Sequence, residues 1–263
     1  ALGKIQKLVE QDSFPIHIQN SENSLLALSL ASLVRRTKRK CLVVLPSDHE
    51  TEEFSQDLAL TGVDLLDFPL WFGAPYRALP PRSRMFRERA SALARLAEGD
   101  FEIATVSART LAIPVPPPEY TRNHILPLRI GADFEPIAIS SKLAELGYLR
   151  VPSVSLPGEY AVRGEVLDIY MPGYEYAVRI HFDYDRIERI VRFDPETQTG
   201  REQITQIHVR PLKELLWGKA EIAQLQNNAS DFVRTDPRIR QIIENLDSGK
   251  EMLGEELWFP LAF

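Results

Sequence analysis

The loop Gln19–Ser24 is the first place where this sequence could carry chemistry, because a strand is expected before it and a helix after it. A phosphate-binding loop at such a place needs glycines, so that backbone N–H groups can approach the phosphates, together with a lysine and a Ser or Thr for the nucleotide and its magnesium. The loop reads QNSENS, without glycine or lysine, and Glu22 adds a carboxylate that repels phosphate. We therefore expect no ATP hydrolysis, and we expect Ser21 or Asn23 to cap the helix.

Other patterns for catalysis or metal binding are missing from the sequence. The Gly-Lys pairs are followed by Ile, Ala and Glu instead of Ser or Thr, and no Asp-Glu dipeptide occurs that could hold magnesium and water. The histidines are scattered, none in the HExxH spacing of a zinc site, and there is no G-x-S-x-G motif. The single cysteine, Cys41, lies in the apolar run CLVVLP and is expected in the core. The sequence thus predicts a segment without enzymatic activity, cofactor or metal.

A candidate partner-binding surface lies in the segment Gly158–Asp194, a run of short predicted strands with charged residues facing outward. Residues Tyr176–Asp183 alternate, so that Arg179, His181 and Asp183 are expected together on one face of their strand. A sheet that carries arginines but no catalytic group indicates a surface that holds a partner.

A second arginine, Arg163, precedes Gly164, and a glycine inside a strand indicates a bulge or a close backbone approach. If the two strands are neighbours, Arg163 and Arg179 share one solvent face, where paired arginines are suited to bind carboxylates of another protein. The alternative, equally compatible with the pattern, is an ordinary solvated face with cross-strand ion pairs, for example to Glu165 or Glu188.

The overall charge and hydropathy restrict the possible partners. The net charge of -6 disfavours nucleic-acid binding over the whole surface, because such binding needs clustered cations. The local basic stretches Arg35–Lys40 and Ser83–Arg95 could contact phosphate, but cations near a helix C-terminus also interact favourably with the helix dipole, and we favour this interpretation. The longest apolar stretch, Leu25–Val34, is too short to span a bilayer, which needs about 20 residues. The low cysteine content fits a reducing cytoplasm.

Strands and helices alternate in the first part of the chain, which predicts a parallel α/β sheet. The helix expected at Ser24–Arg36 is apolar nearly all round and is therefore expected to be buried. The segment Ile113–Pro118, IPVPPP, interrupts the pattern as a connection does. The other expected elements of this part are strands at Phe14–Gln19, Cys41–Leu45, Asp64–Phe68 and Phe101–Ser107, and helices at Asp48–Leu60 and Ser83–Glu98.

The second part is predicted to be a small α+β domain with an antiparallel sheet, followed by helices and an apolar tail that packs back on the first domain. The fold class is therefore α/β, with a degenerate nucleotide-binding-like parallel domain at residues 1–119, an inserted α+β domain at 120–212 and a helical segment at 213–263. The expected elements are strands at His124–Ile130, Tyr160–Arg163, Val166–Tyr170, Tyr176–Phe182, Ile187–Phe193 and Gln203–Val209, and helices at Ile137–Leu146, Trp217–Ala229 and Asp236–Leu246.

The motifs of the second part resemble a known family. GEYAVRGEVLDIYMPGYEYAVRI, RFDPETQ and VRPLKEL are similar to domain 2 of the bacterial repair helicase UvrB and to the matching UvrB-homology module at the N-terminus of the transcription-repair coupling factor, Mfd. The resemblance extends back through FPLWFGAPYRALPPRSRMFRERASALARL and forward to Trp258, Pro260, Leu261 and Phe263. The degenerate phosphate loop, and a connection of only Ser107–Glu119 where UvrB has a long DNA-binding hairpin, favour the coupling factor.

The resemblance implies a docking site for UvrA, the damage-recognition ATPase of nucleotide excision repair, on the second domain. Arg163 and Arg179 match the family's partner-binding positions, while His181 stands where the family usually has an acidic residue and Asp183 where it commonly has Phe. It also implies a bacterial cytoplasmic protein with a longer parent chain. That parent chain would be an ATP-dependent DNA translocase that binds RNA polymerase and DNA, and another of its domains can mask this face.

Two other functions stay open at this point. An ATP-dependent, UvrB-like DNA-damage helicase subunit would bind nucleotide at the loop Gln19–Ser24. A DNA-binding module would use Arg35–Lys40 or the Ser83–Arg95 helix, with an affinity that falls steeply as salt is raised.

Overall fold

The computed structural model describes residues 2–19, 21–69, 84–230, 236–250 and 255–263. Of these, the residues up to 69 and those in 98–114 form a first compact unit, and the residues in 84–97 and from 115 onward form a second. The helices are α1 Leu2–Glu10, α2 Asn23–Thr37, α3 Asp48–Ala59, α4 Arg84–Glu98, α5 Ala108–Leu111, α6 Pro118–Asn123, α7 Pro136–Glu145, α8 Lys219–Asn228, α9 Pro237–Asp247 and a final 3-10 helix Glu255–Leu261. The strands are β1 Cys41–Leu45, β2 Leu65–Asp67, β3 Ile103–Ser107, β4 Leu126–Arg129, β5 Leu149–Arg150, β6 Glu159–Arg163, β7 Val166–Tyr170, β8 Ala177–Asp183, β9 Arg186–Phe193, β10 Gly200–Ile204 and β11 Gln206–Val209.

The first unit contains a parallel three-stranded sheet in the order β1-β3-β2, as the alternating pattern predicts. α2 and α3 pack together with β1 and β3 in one apolar cluster, to which α2 contributes the buried stripe Ala27, Ala31 and Val34. The expectation that α2 is buried all round is wrong, because Leu25 and Leu28 are each 59% exposed. A helix that packs on its neighbours along one stripe leaves its other apolar residues at the surface of the unit.

The expected strand at Phe14–Gln19 is also wrong. In this described segment the backbone forms no regular secondary structure, and Phe14 and Ile18 are 59% and 47% exposed. Pro15 has no N–H to donate to a sheet, which disfavours a paired strand inside the run. α2 therefore follows irregular backbone and not the strand that a nucleotide-binding domain places before its phosphate loop. The similar segment FPLWFGAPYRALPPRSR lies, from Leu70 to Ser83, outside the described residues.

The second unit is built on a six-stranded sheet in the order β10-β9-β8-β7-β6-β5, antiparallel except for the short parallel pair of β5 with β6. α7 contributes Ile139 and Leu143 to a core that also holds Leu167, Ile180 and Ile190 from the sheet. This arrangement is mixed α/β, with parallel and antiparallel pairing, as predicted. The nucleotide-binding-like character of the first domain stays a prediction.

One expected strand is divided in two. The sequence predicts a single strand at Gln203–Val209, but β10 ends at Ile204 and β11 starts at Gln206. β11 pairs with β4 in a separate two-stranded antiparallel sheet. A uniform run of alternating residues carries no signal for this change of partner.

The helices after residue 213 form their own small cluster. α8 and α9 pack through Leu225, Ile243 and Leu246, with Trp217 and Trp258 against them. Contacts group this segment with the second unit. The three-part division of the chain and the packing of the tail on the first domain remain predictions.

In the part of the chain that the structure describes, no helix is both long enough and apolar enough to span a bilayer.

Candidate protein-interaction site

The two predicted partner-binding arginines lie on strands that a third strand separates. Arg163 ends β6 and Arg179 is in the middle of β8, while β7 lies between these strands and pairs with both. A shared face is expected from the sequence only if β6 and β8 are neighbours. In the structure they are not neighbours. Gly164 lies in the two-residue turn between β6 and β7 with a φ of 57°, so it is a hairpin glycine and not the expected bulge.

A residue of β7, Asp168, nevertheless joins the two arginines. Its Oδ1 accepts a hydrogen bond from Arg179 Nε at 2.7 Å, and its Oδ2 accepts from Arg179 Nη2 at 2.9 Å and from Arg163 Nη2 at 2.5 Å. The Asp168 side chain is fully buried, whereas those of Arg163 and Arg179 are 48% and 23% exposed. A buried carboxylate is stable only when it is paired and hydrogen-bonded, so both arginines serve as its counter-ions. We call these three residues the arginine–aspartate cluster.

Arg179 is held on two further sides. Its Nη2 also donates to Gln198 Oε1 at 3.0 Å, and its guanidinium lies 4.4 Å from the centre of the Phe193 ring. Gln198 has a left-handed φ of 59° in the turn between β9 and β10, and its amide donates to the Pro195 carbonyl at 2.8 Å. The hydrogen bonds that Arg179 donates to Asp168 raise the pKa of Arg179. The guanidinium is therefore charged, and its plane is fixed from several directions.

Unused donors remain on both arginines. Within the part of the chain that the structure describes, Arg179 Nη1 and Arg163 Nη1 and Nε make no hydrogen bond. The arginines make cross-strand ion pairs, as the alternative expects, but their partner is Asp168 instead of Glu165 or Glu188. A carboxylate from another molecule can thus be bound by donors that the cluster leaves exposed.

His181 and Asp183 follow Arg179 along β8 towards the hairpin with β9. His181 is opposite Arg189, whose Nη2 lies 3.1 Å from His181 Nε2. Burial, and then the charges of Arg189 and Arg179, lower the pKa of His181, which favours the neutral ring at pH 7. Asp183 is exposed at the end of the strand, opposite Arg186. The four predicted site residues lie in one sheet, but only the two arginines share a partner.

Sequence reasoning missed Asp168 and Gln198. A signal for Asp168 was present, because a carboxylate inside the apolar run VLDIY must find a counter-ion if the strand is buried. Gln198 gave no signal, since it lies in the turn between β9 and β10 and its contact with Arg179 depends on the shape of that turn.

The part of the chain that carries this cluster matches a known domain family. Residues 126–215, which contain the whole arginine–aspartate cluster, match the family described as the UvrB interaction domain. The chain is 25% identical to the transcription-repair-coupling factor of Borreliella burgdorferi over 263 residues, which are 99% of this chain and 23% of that protein. The same-named proteins of Haemophilus influenzae and Escherichia coli are 29% and 28% identical over 90% and 81% of this chain, and over 21% and 18% of their own lengths.

Over most of its length the chain is similar to transcription-repair-coupling factors. This confirms the resemblance found in the sequence motifs. The chain spans less than a quarter of the length of these relatives.

In this chain, the start of α2 offers carboxylates where a phosphate would need donors. Glu22 is the N-cap residue and makes no side-chain capping bond, so the expected cap by Ser21 or Asn23 is wrong. The Ser24 hydroxyl donates to Asp57 at 2.8 Å. Both carboxylates disfavour a phosphate at this helix end. The absence of ATP hydrolysis stays a prediction.

Cations of the two basic stretches make contacts within the chain. Arg39 pairs with Asp12 at 2.7 Å, and Lys40 donates to the Gly99 carbonyl. On α4, Arg89 is fully buried and pairs with Glu214 through Nε and Oε1 at 2.6 Å. These cations thus have structural partners within the chain. DNA binding through the two stretches stays an alternative prediction.

Proposed function

We propose that this chain is a non-catalytic protein-interaction module of a transcription-coupled DNA repair factor, and that it recruits UvrA of nucleotide excision repair through the arginine–aspartate cluster. The observation that carries the proposal is a pair of guanidinium groups fixed on one buried carboxylate, with unused donors at the surface. The match of residues 126–215 to the UvrB interaction domain and the name shared by the relatives support the repair context.

A fixed guanidinium is suited to protein recognition for two reasons. Its planar donors match a carboxylate in a bidentate geometry, and a side chain that is already ordered loses less entropy when it binds. Arginine is also enriched among the interface residues whose truncation costs about 2 kcal/mol or more. We therefore expect the facing surface of UvrA to present carboxylates to Arg163 and Arg179.

The other partners belong, in this proposal, to the parent protein and not to this segment. We assign RNA polymerase binding, DNA binding and ATP-driven translocation to parts of the parent chain outside these residues. Masking of the cluster by another domain of the parent would then regulate access of UvrA. A parent of this kind would act in the bacterial cytoplasm.

Titration of purified UvrA with this chain tests the proposal. Wild type should bind with a single class of site, and Arg163→Ala and Arg179→Ala should each weaken binding by about 2 kcal/mol or more. Arg238→Ala is the matched control, because Arg238 is an exposed arginine that pairs with an aspartate, Asp236, but lies on α9 outside the sheet. Absence of binding, or equal affinity for all four proteins, would refute recruitment through the cluster.

A further inference from the structure

We infer that Asp168 and Gln198 are positioning residues, which set the orientation in which Arg163 and Arg179 meet a carboxylate-bearing partner. This inference rests on the proposed docking function. Asp168 has no surface of its own, and both of its oxygens are occupied by the arginines. It therefore cannot touch a partner and can affect binding only through the two guanidinium groups.

The geometry determines which donors remain for the partner. Arg179 uses Nε and Nη2 on Asp168, and Nη2 again on Gln198, while one face of its guanidinium lies against Phe193. Rotation of the guanidinium would break several of these contacts together. Nη1 is thus the donor that is left for an incoming oxygen, and its direction is set before binding.

Charge in the cluster gives the second part of the argument. Two guanidinium groups share one carboxylate, so the cluster carries one uncompensated positive charge. Arg189, which approaches His181 at 3.1 Å, adds another cation to the same face. An acidic segment of the partner would neutralise this positive charge. Its carboxylate oxygens would accept hydrogen bonds from the N–H donors that Asp168 leaves unused on each arginine.

Binding measurements on four variants test the inference. Asp168→Asn is nearly isosteric but removes the charge and one acceptor, and it should weaken UvrA binding about tenfold, within the range of coupled neighbours. In an Arg179→Ala background the same change should cost less than about threefold, because its main target is gone. Gln198→Ala keeps all three cluster residues and should weaken binding by about threefold. Equal losses from Asp168→Asn in both backgrounds, or no loss from either single change, would overturn the inference.

A second readout does not need UvrA. The Arg179 Nε–H should give a sharp, slowly exchanging signal in ¹⁵N NMR of the wild-type chain, with restricted motion on the nanosecond timescale. Asp168→Asn should make this group mobile, whereas Arg238→Ala should leave its signal unchanged. If UvrA does not bind the wild type, the proposed function fails, while an ordered Nε–H that Asp168→Asn releases still supports positioning. An Nε–H that is equally mobile in wild type would contradict positioning even if UvrA binds.

Discussion

The start of α2 and the arginine–aspartate cluster both bring carboxylates to a place where an anion could bind, with opposite consequences. At α2, Glu22 is the N-cap residue but makes no capping bond, and Asp57 accepts from Ser24, so negative charge lies at the positive end of the helix dipole. In the cluster, Asp168 is buried beneath two arginines. At α2, the Ser24 hydroxyl donates to an acid of the chain itself. In the cluster, Asp168 orders the two guanidinium groups and leaves some of their N–H donors for a partner.

The comparison shows that the position of a carboxylate matters more than its presence. A fully buried acid with two cations keeps those cations charged and oriented, and it cannot compete with a partner for the outer donors. An acid at the open end of a helix competes directly with any phosphate.

Removing Arg179 should cost the most, because it leaves the buried Asp168 with Arg163 as its remaining cation in the cluster. We expect Arg179→Ala to lower the free energy of unfolding by about 3 kcal/mol, as found when one partner of a buried pair is removed. Adding Asp168→Asn to this variant should recover part of the loss, since the uncompensated charge disappears. Urea denaturation followed by circular dichroism measures both. A loss of stability that the second change does not relieve would argue against Asp168 as a buried charge.

Replacing Arg179 by lysine separates charge from geometry. Lysine keeps the positive charge but cannot make the two parallel hydrogen bonds to Asp168 or stack its plane on Phe193. We expect Arg179→Lys to bind UvrA about tenfold more weakly, which corresponds to about 1.4 kcal/mol. Arg238→Lys, at the exposed pair on α9, should leave the affinity unchanged. Full affinity of Arg179→Lys would mean that charge alone attracts the partner.

How much of this site the sequence could predict depends on how local each contact is. Alternation along β8 correctly put Arg179 and His181 on one face, because period two is a property of a single strand. The link between Arg163 and Arg179 runs through β7, and the bond of Arg179 to Gln198 runs to a turn beyond β9. These contacts depend on strand order and register, which the pattern within one strand does not contain.

The same distinction holds for the fold. α2 and the sheet strands β1 and β3 follow from runs of apolar residues, and the structure has them close to the expected positions. The segment Phe14–Gln19 forms no strand although its apolar residues favour one, because Pro15 lacks the N–H that a paired strand needs. For α2, β1 and β3 the local pattern predicted the element, and its pairing had to come from the tertiary structure.

His181 should give a small pH dependence of stability. Its pKa in the folded chain is lowered from the usual value of 6.5 by burial and by Arg189 and Arg179, so the unfolded chain binds the proton more readily. Stability from the neutral ring is therefore present above about pH 6.5 and is lost as the pH falls through the lower folded value. We expect a loss below about 1 kcal/mol, since the ring is only partly buried and solvent screens its charge.

Thermal unfolding of wild type and His181→Gln between pH 7.5 and pH 5 measures this effect, where the pH range brackets the usual histidine value near 6.5. As the pH falls, wild type should lose stability relative to His181→Gln, because only wild type has a ring to protonate. An identical pH profile for both proteins would show that His181 does not titrate in this window.

The smallest expected effect is at α2, where calorimetric titration with ATP and magnesium should give no binding heat. Removing the carboxylates by Glu22→Gln and Asp57→Asn should not change this result, because the loop still lacks the glycines and the lysine that hold phosphates. Saturable heat with wild type would favour the UvrB-like helicase alternative. Heat that appears only in the double variant would mean that the two carboxylates alone exclude the nucleotide. The difference between the start of α2 and the arginine–aspartate cluster would then depend entirely on the positions of the acids.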